Sequence, residues 1–431
     1  MARAAAIAFG AVGAVAAAGL AAWAPAASAP AGEEAVAEHA RPLTGTSGDY
    51  DALVHSLGDS RVVLLGEDTH GTHEFYAERA RITQRLIAER RFRAVAIEGE
   101  WGDARRVDAY VRGRGGDRSA EQALGDFRSF GRWMWANEPF AAFLEWLRDH
   151  NARLPEHARV GVYGIDAQDL LGAVDAALSE LRAVDAALAA RARAQYACFA
   201  RWRATPETYG AFPDESGHGC AEAAAAVARD LRDGRAPFAA LQSARLVVAA
   251  ERNARARHRG GTDAWNLRDR QMADVVDAVA AHVRGGVVAW AHNTHVGDAR
   301  ATDLYGGDGW SVGHLLRERH AARVALVGFT TARGTVTAAP AWDARPRTFE
   351  LGTPVSGSHG ALLGARDAVL VLRGNDALRR ALADARPQRA IGVVYDRAGE
   401  RRSHYVEARL AEQFDAVVHL GRTRAVSPLR P

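Results

Sequence analysis

The sequence predicts an α/β fold, a central and largely parallel sheet flanked by helices, with a helical insertion forming a lid over the cleft. Three observations predict it. Short apolar runs alternate with long helical patterns, as βα units require. Several of those runs, such as Val62-Val63-Leu64-Leu65, are too apolar to have a wet face and suit strands covered on both sides. A stretch over about residues 170–283 is rich in Ala and Arg, has helical periodicity and contains no good strand.

In chain order, residues 1–29 begin with one basic residue, Arg3, and continue as an Ala/Gly/Val/Leu run to Trp23. They end in small residues suited to a signal peptidase, Pro25-Ala26-Ala27-Ser28-Ala29. That is the pattern of an export signal, so the expected location is secreted or extracytoplasmic. The run also approaches the roughly 20 residues that span a bilayer, which makes an uncleaved anchor the second reading. A Pro/Ala/Glu linker is expected over 30–45 and one hydrolytic domain over 46–431. Strands are expected at 62–66, 94–98, 160–165, 287–291, 324–329, 368–372, 390–395 and 416–420. Within the insertion, the Arg-rich segment 251–259 reads as a solvated helix face, with anion binding as the alternative. Cys198 and Cys220 bracket a loop containing Pro206, Pro213, Gly217 and Gly219; an oxidising compartment would pair them, and two buried thiols is the other reading.

Composition narrows the classes. The 431 residues are 48% hydrophobic and 25% charged, which excludes disorder and a collagen-like fibre and allows a sizeable core. Every basic residue is Arg, yet the formal net charge is only +3, so nothing announces a nucleic-acid partner. The expected partner is a small molecule, with no stable membrane association beyond the export signal.

In an open α/β sheet, ligands bind beyond the carboxyl ends of the strands. The first strand runs into Gly66-Glu67-Asp68-Thr69-His70-Gly71-Thr72-His73-Glu74, and the second ends in Ile97-Glu98-Gly99-Glu100-Trp101. The third ends in Tyr163-Gly164-Ile165-Asp166 and the fourth in Trp290-Ala291-His292-Asn293-Thr294-His295. Four strands thus deliver carboxylates and imidazoles to one rim, where burial without partners would cost several kcal/mol. Phe75, Arg79, Ile82 and Leu86 form one helical stripe, which places an arginine on an inward face; a buried guanidinium needs a carboxylate or an anionic ligand.

The one Gly-x-Ser-x-Gly string, Gly309 to Gly313, follows no expected strand, and no phosphate loop follows any, so nucleophilic and nucleotide chemistry lack footholds and no cofactor is expected. A His beside a carboxylate is suited to taking a proton from water, and Glu67 and His70 supply that pair. Arg79, Glu98 and His292 are candidate supports for the charge that develops. His295 and Asp166 are candidate substrate contacts. Trp101, Trp133 and Trp135 either line an apolar wall for a bulky substrate or pack the core. Zinc or manganese on His70/His73 and His292/His295 with Glu67 and Glu98 is the rival chemistry. An acid–base lyase or cyclase adding no water, and a ligand-sequestering protein, are the rival functions.

Seven segments together resemble the erythromycin esterase family, in family order, from about residue 47 to 424. They are the run Leu65 to Glu74, Arg79, Ile97-Glu98, Phe130-Gly131-Arg132-Trp133-Met134-Trp135, Tyr163-Gly164-Ile165-Asp166-Ala167-Gln168, Asn266-Leu267-Arg268-Asp269-Arg270-Gln271-Met272-Ala273 and Trp290 to Val296. The resemblance implies an α/β core with a helical lid. It also implies a hydrolase that opens macrolide lactones by water attack, without covalent intermediate or required metal. By position it implies His70 as general base, Glu67 as its orienting carboxylate, and Arg79, Glu98 and His292 as the polar wall. The family's resistance enzymes are typically cytoplasmic, whereas this chain begins with an export pattern, so fold and site transfer better than substrate.

Overall fold

The computed structural model describes residues 29–127, 131–211 and 219–430. The export pattern, apart from Ala29, lies outside the described residues, as do Phe130, Pro213 and Gly217. The strands in chain order are β1 (Arg41–Pro42), β2 (Val62–Leu65), β3 (Phe92–Glu100), β4 (Gly161–Asp166), β5 (Gly286–Trp290), β6 (Val324–Ala338), β7 (Arg347–Glu350), β8 (Asp367–Val371), β9 (Arg386–Arg389), β10 (Tyr405–Ala408) and β11 (Ala416–Thr423). Nine of them form one sheet in the order β1-β8-β11-β6-β2-β5-β3-β4, with β7 pairing β6. From β11 to β4 every pairing is parallel; β8 and β1 add an antiparallel edge.

Both faces of the sheet are covered, which is why its central strands read as unbroken apolar runs. On β2, Val62 and Leu64 enter one core with Ala94, Ala96, Val287 and Ala289, under the helices of the insertion. Val63 and Leu65 enter the other with Val95, Ile97, Phe75, Leu86, Phe140 and Phe143. Among its described residues the insertion holds no strand, and its α-helices are Leu170–Val184, Ala186–Gln195, Ala221–Asp233, Phe238–Arg259 and Asp263–Val283. Its first-core residues include Val174, Leu181, Val247, Met272 and Val276, so it packs onto the sheet as part of the main core.

Two expectations need correction. Residues 30–45 are not an extended linker: Ala29–His39 is a helix whose Val36 is fully buried, and β1 follows it to pair with β8. Residues 390–395 form no regular strand; β9 lies just before them and pairs with β10 in a separate ribbon. Segment 390–395 instead touches neighbours through isolated bridges, Ile391 with Thr69 and Val394 with Ala339. Its apolar pattern serves burial without a ladder.

Candidate active site

The central strand β2 is flanked by β6 and β5, and the chain leaves its carboxyl end through the turn 66–72 before the helix His73–Arg90. Two glycines permit that turn. A Cβ on Gly66 would collide with the Asn293 side chain, and one on Gly71 with the Thr337 backbone. Backbone bonds then pin it: Asn293 N donates to Glu67 O at 2.7 Å, Ile391 N to Asp68 O at 2.8 Å, and the Tyr76 hydroxyl to His70 O at 2.9 Å.

Glu67 and His70 face each other across this turn, with His70 Nδ1 2.9 Å from Glu67 Oε1. An ionised carboxylate only accepts, so Nδ1 carries the hydrogen and Nε2 keeps the lone pair. The second oxygen, Oε2, accepts from Arg79 Nη2 at 2.6 Å, and both side chains are buried. Arg79 also lies 4.6 Å below the Tyr76 ring and 5.0 Å from that of Trp290. The inward arginine of the sequence therefore compensates Glu67 from beneath, enclosed by aromatic rings, and does not open onto the cleft.

A register shift in β3 between Ile97 and Glu100 re-aims Glu98. Its Oε2 accepts from the backbone N–H of His292 at 2.8 Å, and its Oε1 from Arg268 Nη2 at 2.7 Å. Burial would raise the Glu98 pKa, but His295 and Arg268 outweigh it and hold the group well below the usual carboxylate range. Arg268 also grips Asp166, through Nη2 at 2.7 Å and Nε at 3.1 Å. His295 Nδ1 lies 2.8 Å from Asp269 Oδ1 and its Nε2 3.3 Å from Glu98. Burial opposes charge on His295, as does Arg268, whose Nη1 is 2.9 Å from Nε2; Asp269 and Glu98 prevail and raise its pKa to about 9.

His292 caps the short helix Asn293–Val296: its Nδ1 accepts from the Thr294 N–H at 3.3 Å and lies 2.9 Å from the Thr294 hydroxyl. Burial, and then the neighbouring His70, push its pKa well down, so the ring is neutral, and with Nδ1 accepting, the hydrogen sits on Nε2. That nitrogen is buried and has no partner of good hydrogen-bond geometry; the Asp68 backbone acts on the ring only as the weakest of its neighbours. The His70 and His292 rings are 4.9 Å apart between centroids. One ring thus offers a lone pair and the other a hydrogen, side by side.

A cavity of about 440 Å³ beyond β3 and β4 is bounded by Glu100, Trp101 and several aspartates. A larger one, of about 530 Å³, lies between the insertion and the sheet edge and includes Trp202, Tyr209, Trp265, Arg268, Tyr305 and Trp342 in its walls. It meets the polar cluster through Arg268 and through Trp265, which stacks on His295 at 4.4 Å.

Of the three tryptophans, two take the core-packing alternative, and Trp101 borders the smaller cavity. Trp133 and Trp135 belong to the second core, where Trp135 Nε1 donates to Glu98 O at 2.9 Å, so that ring supports the β3 carboxyl end from behind. Trp101 is 3% exposed and donates to Ser243 Oγ. His295 and Asp166, expected at the substrate, are buried against Asp269 and Arg268. The metal alternative loses its geometry: His73 Nε2 takes a bond from Arg424 Nη2 at 2.6 Å, away from His70, and both oxygens of Glu67 are engaged. Among the described residues no three His, Cys, Asp or Glu side chains gather as a metal site.

Sequence reasoning assigned no role to Arg268, Asp269 or Trp265. A signal existed: Trp265, Asp269, Met272, Val276 and Val279 are the buried stripe of one helix, and a charged residue on such a stripe carries the same message as Arg79.

Residues 87–423 match the family model for erythromycin esterase. A curated relative, erythromycin esterase type II of Escherichia coli, is 29% identical over 118 residues, covering 27% of this chain and 26% of that protein. The chain therefore aligns with about a quarter of that relative's length. Among solved structures, a succinoglycan biosynthesis protein superposes with TM-score 0.78 at 21% identity, covering 92% of this chain and 98% of the other. A protein from Bacillus cereus gives TM-score 0.79 at 20% identity, with 93% and 99% covered. A histidine-to-asparagine mutant of the erythromycin esterase EreC in its open conformation gives 0.61 at 16%, with 87% and 93% covered. At these identities the structural likenesses speak for the fold.

Proposed function

Since the chain belongs to the erythromycin esterase family, whose model spans most of its length, we propose that it is an exported, metal-independent hydrolase of a bulky carboxylic ester or macrolactone. The observation that carries this reading is the pairing of His70 and His292 with opposite tautomers at 4.9 Å. His70 Nε2 takes a proton from water while Glu67 holds the ring and balances the imidazolium. The hydroxide equivalent adds to the carbonyl carbon, and His292 Nε2–H donates to the oxygen on which charge collects. Collapse of the tetrahedral intermediate breaks the C–O bond; the proton on His70 passes to the leaving alkoxide. No covalent enzyme intermediate forms. Arg79 acts through Glu67, and Arg268 and His295 act through Glu98, which fixes the His292 backbone. The 530 Å³ cavity beside Arg268 is the substrate's approach, with the insertion as its cover. Export is supported by the residue 1–29 pattern and by the Cys198–Cys220 disulfide, which suits an oxidising compartment.

The test is to incubate the mature chain with a panel of macrolactones and simple esters, with and without chelator, and weigh the products. Hydrolysis adds one water to the mass. A product of unchanged mass points to the lyase or cyclase alternative, and activity restored to a chelated sample by one specific cation overturns the metal-independent mechanism.

A further inference from the structure

The segment between the two half-cystines builds one side of the large cavity. Trp202, Pro206, Glu207 and Tyr209 all line it, and all follow Cys198. Apart from the Arg203–Asp175 ion pair, at 2.6 and 3.0 Å, the described part of the segment has few polar ties to the rest of the chain. Tyr196–Trp202 and Pro206–Thr208 are short 3-10 turns, and residues 203–207 are exposed. Among its described residues the buried anchors are Phe199 and Tyr209, with Tyr196 just before Cys198. Trp202 stacks edge-on to Tyr209 at 5.4 Å, and Phe199 packs on the same ring at 5.9 Å. Tyr209 in turn donates to Glu251 at 2.7 Å and accepts from the Cys220 N–H at 3.1 Å. The tyrosine is tied to the helix Phe238–Arg259, while the tryptophan side of the wall is tied by the disulfide to the start of Ala221–Asp233. Stretches with few buried contacts open at low free energy, so a covalent tie at this point has a large effect on local order.

We propose that the Cys198–Cys220 disulfide is a positioning element for substrate. It holds the Trp202–Tyr209 wall against Trp265 and Trp342, and so sets affinity for ring-bearing esters while leaving the His70/His292 chemistry untouched. This rests on the reading of the cavity as the substrate's. The opposing rings come from separate elements, Trp265 from the helix Asp263–Val283 and Trp342 from the connection between β6 and β7. An aromatic cleft made from three independent pieces closes on a ring only if each piece keeps its place, and only the Trp202 piece depends on a disulfide.

The experiment compares the oxidised chain, the same chain reduced in place with a phosphine, and Cys198→Ser/Cys220→Ser, each with a 14-membered macrolactone and with p-nitrophenyl acetate. Reduction in place covers the case in which the double variant folds poorly, and circular dichroism confirms the fold of each sample. Loss of the tie raises KM for the macrolactone by about tenfold, the scale of one aromatic wall contact, with kcat within about twofold. The small ester, which spans no wall, keeps both constants. Trp202→Ala raises the macrolactone KM in the oxidised chain and adds little once the disulfide is gone, because the two changes act through one wall. An unchanged KM after verified reduction overturns the proposal and leaves ester hydrolysis standing; so does full additivity of Trp202→Ala with disulfide loss. If the oxidised chain hydrolyses neither ester, the proposed function fails and this inference falls with it.

Discussion

Replacing Glu67 with Gln separates the two tasks of that carboxylate. Its oxygens accept from His70 Nδ1 at 2.9 Å and from Arg79 Nη2 at 2.6 Å, and all three side chains are buried. Glutamine has nearly the same shape but one acceptor and one donor. With its oxygen on Arg79, its NH2 faces His70 Nδ1, which must become the acceptor; the hydrogen then moves to Nε2 and the base is lost. The corresponding wrong-tautomer change in Ser-His-Asp enzymes costs about 10⁴ in turnover, and a loss of 10³ to 10⁴ is expected here. Removing the charge also strands Arg79, fully buried with Nη1 already unpartnered, at a cost of about 3–5 kcal/mol. Adding Arg79→Met removes the stranded charge and recovers much of that stability, but restores no activity. Urea unfolding gives the stability, kcat/KM for a turned-over ester gives the activity, and ¹⁵N imidazole shifts give the tautomer. If Glu67→Gln keeps turnover within tenfold of the parent, or retains the Nδ1–H tautomer while inactive, this account of His70 is refuted.

Three other outcomes are expected. His70→Asn lowers kcat by about 10² to 10⁴ with the fold intact by circular dichroism; full activity would remove the base assignment. Arg268→Met leaves Glu98 and Asp166 buried without their shared cation and destabilises the protein by about 3–5 kcal/mol, measured by urea unfolding; a change below about 1 kcal/mol would mean the cluster is solvated. Burial pushes Asp68 up from 3.8 to about 8. The folded chain therefore holds a proton there that the unfolded chain releases, and the stability tied to it falls as pH rises across that window. Asp68→Asn should raise Tm relative to the parent most above about pH 8 and not below the unfolded pKa; parallel Tm curves against pH would contradict this.

Much of the architecture was legible because strands buried on both faces must be apolar from end to end, and 62–66, 94–98, 160–165, 287–291, 368–372 and 416–420 correspond to observed strands within a few residues. The exceptions have physical causes. β6 continues to Ala338, past residue 329, because Thr330 and Thr331 satisfy their hydroxyls on His419 and Thr423. The strand β9 is Arg-Pro-Gln-Arg, buried because Arg389 finds Glu400 and the Thr331 carbonyl, and no hydrophobic pattern marks such a strand. In the site, the turn 66–73 and Arg79 could be read from local spacing. Arg268 reaching Glu98 across 170 positions could not, since long-range pairing leaves no periodicity. The choice between wall and core for the tryptophans was open for a related reason: apolar rings go wherever area can be buried, and which of them line a hollow is decided only when separate elements meet.

The fork of Arg268 on Glu98 and Asp166 makes the insertion inseparable from the sheet it covers. Swinging the helix Asp263–Val283 away from the sheet would abandon two carboxylates in a dry interior, at a cost of several kcal/mol. On the proposed function, any opening of the approach has to leave this helix in place. An engineer who excised the insertion to widen the entrance would be removing the counter-charge of the floor along with the roof.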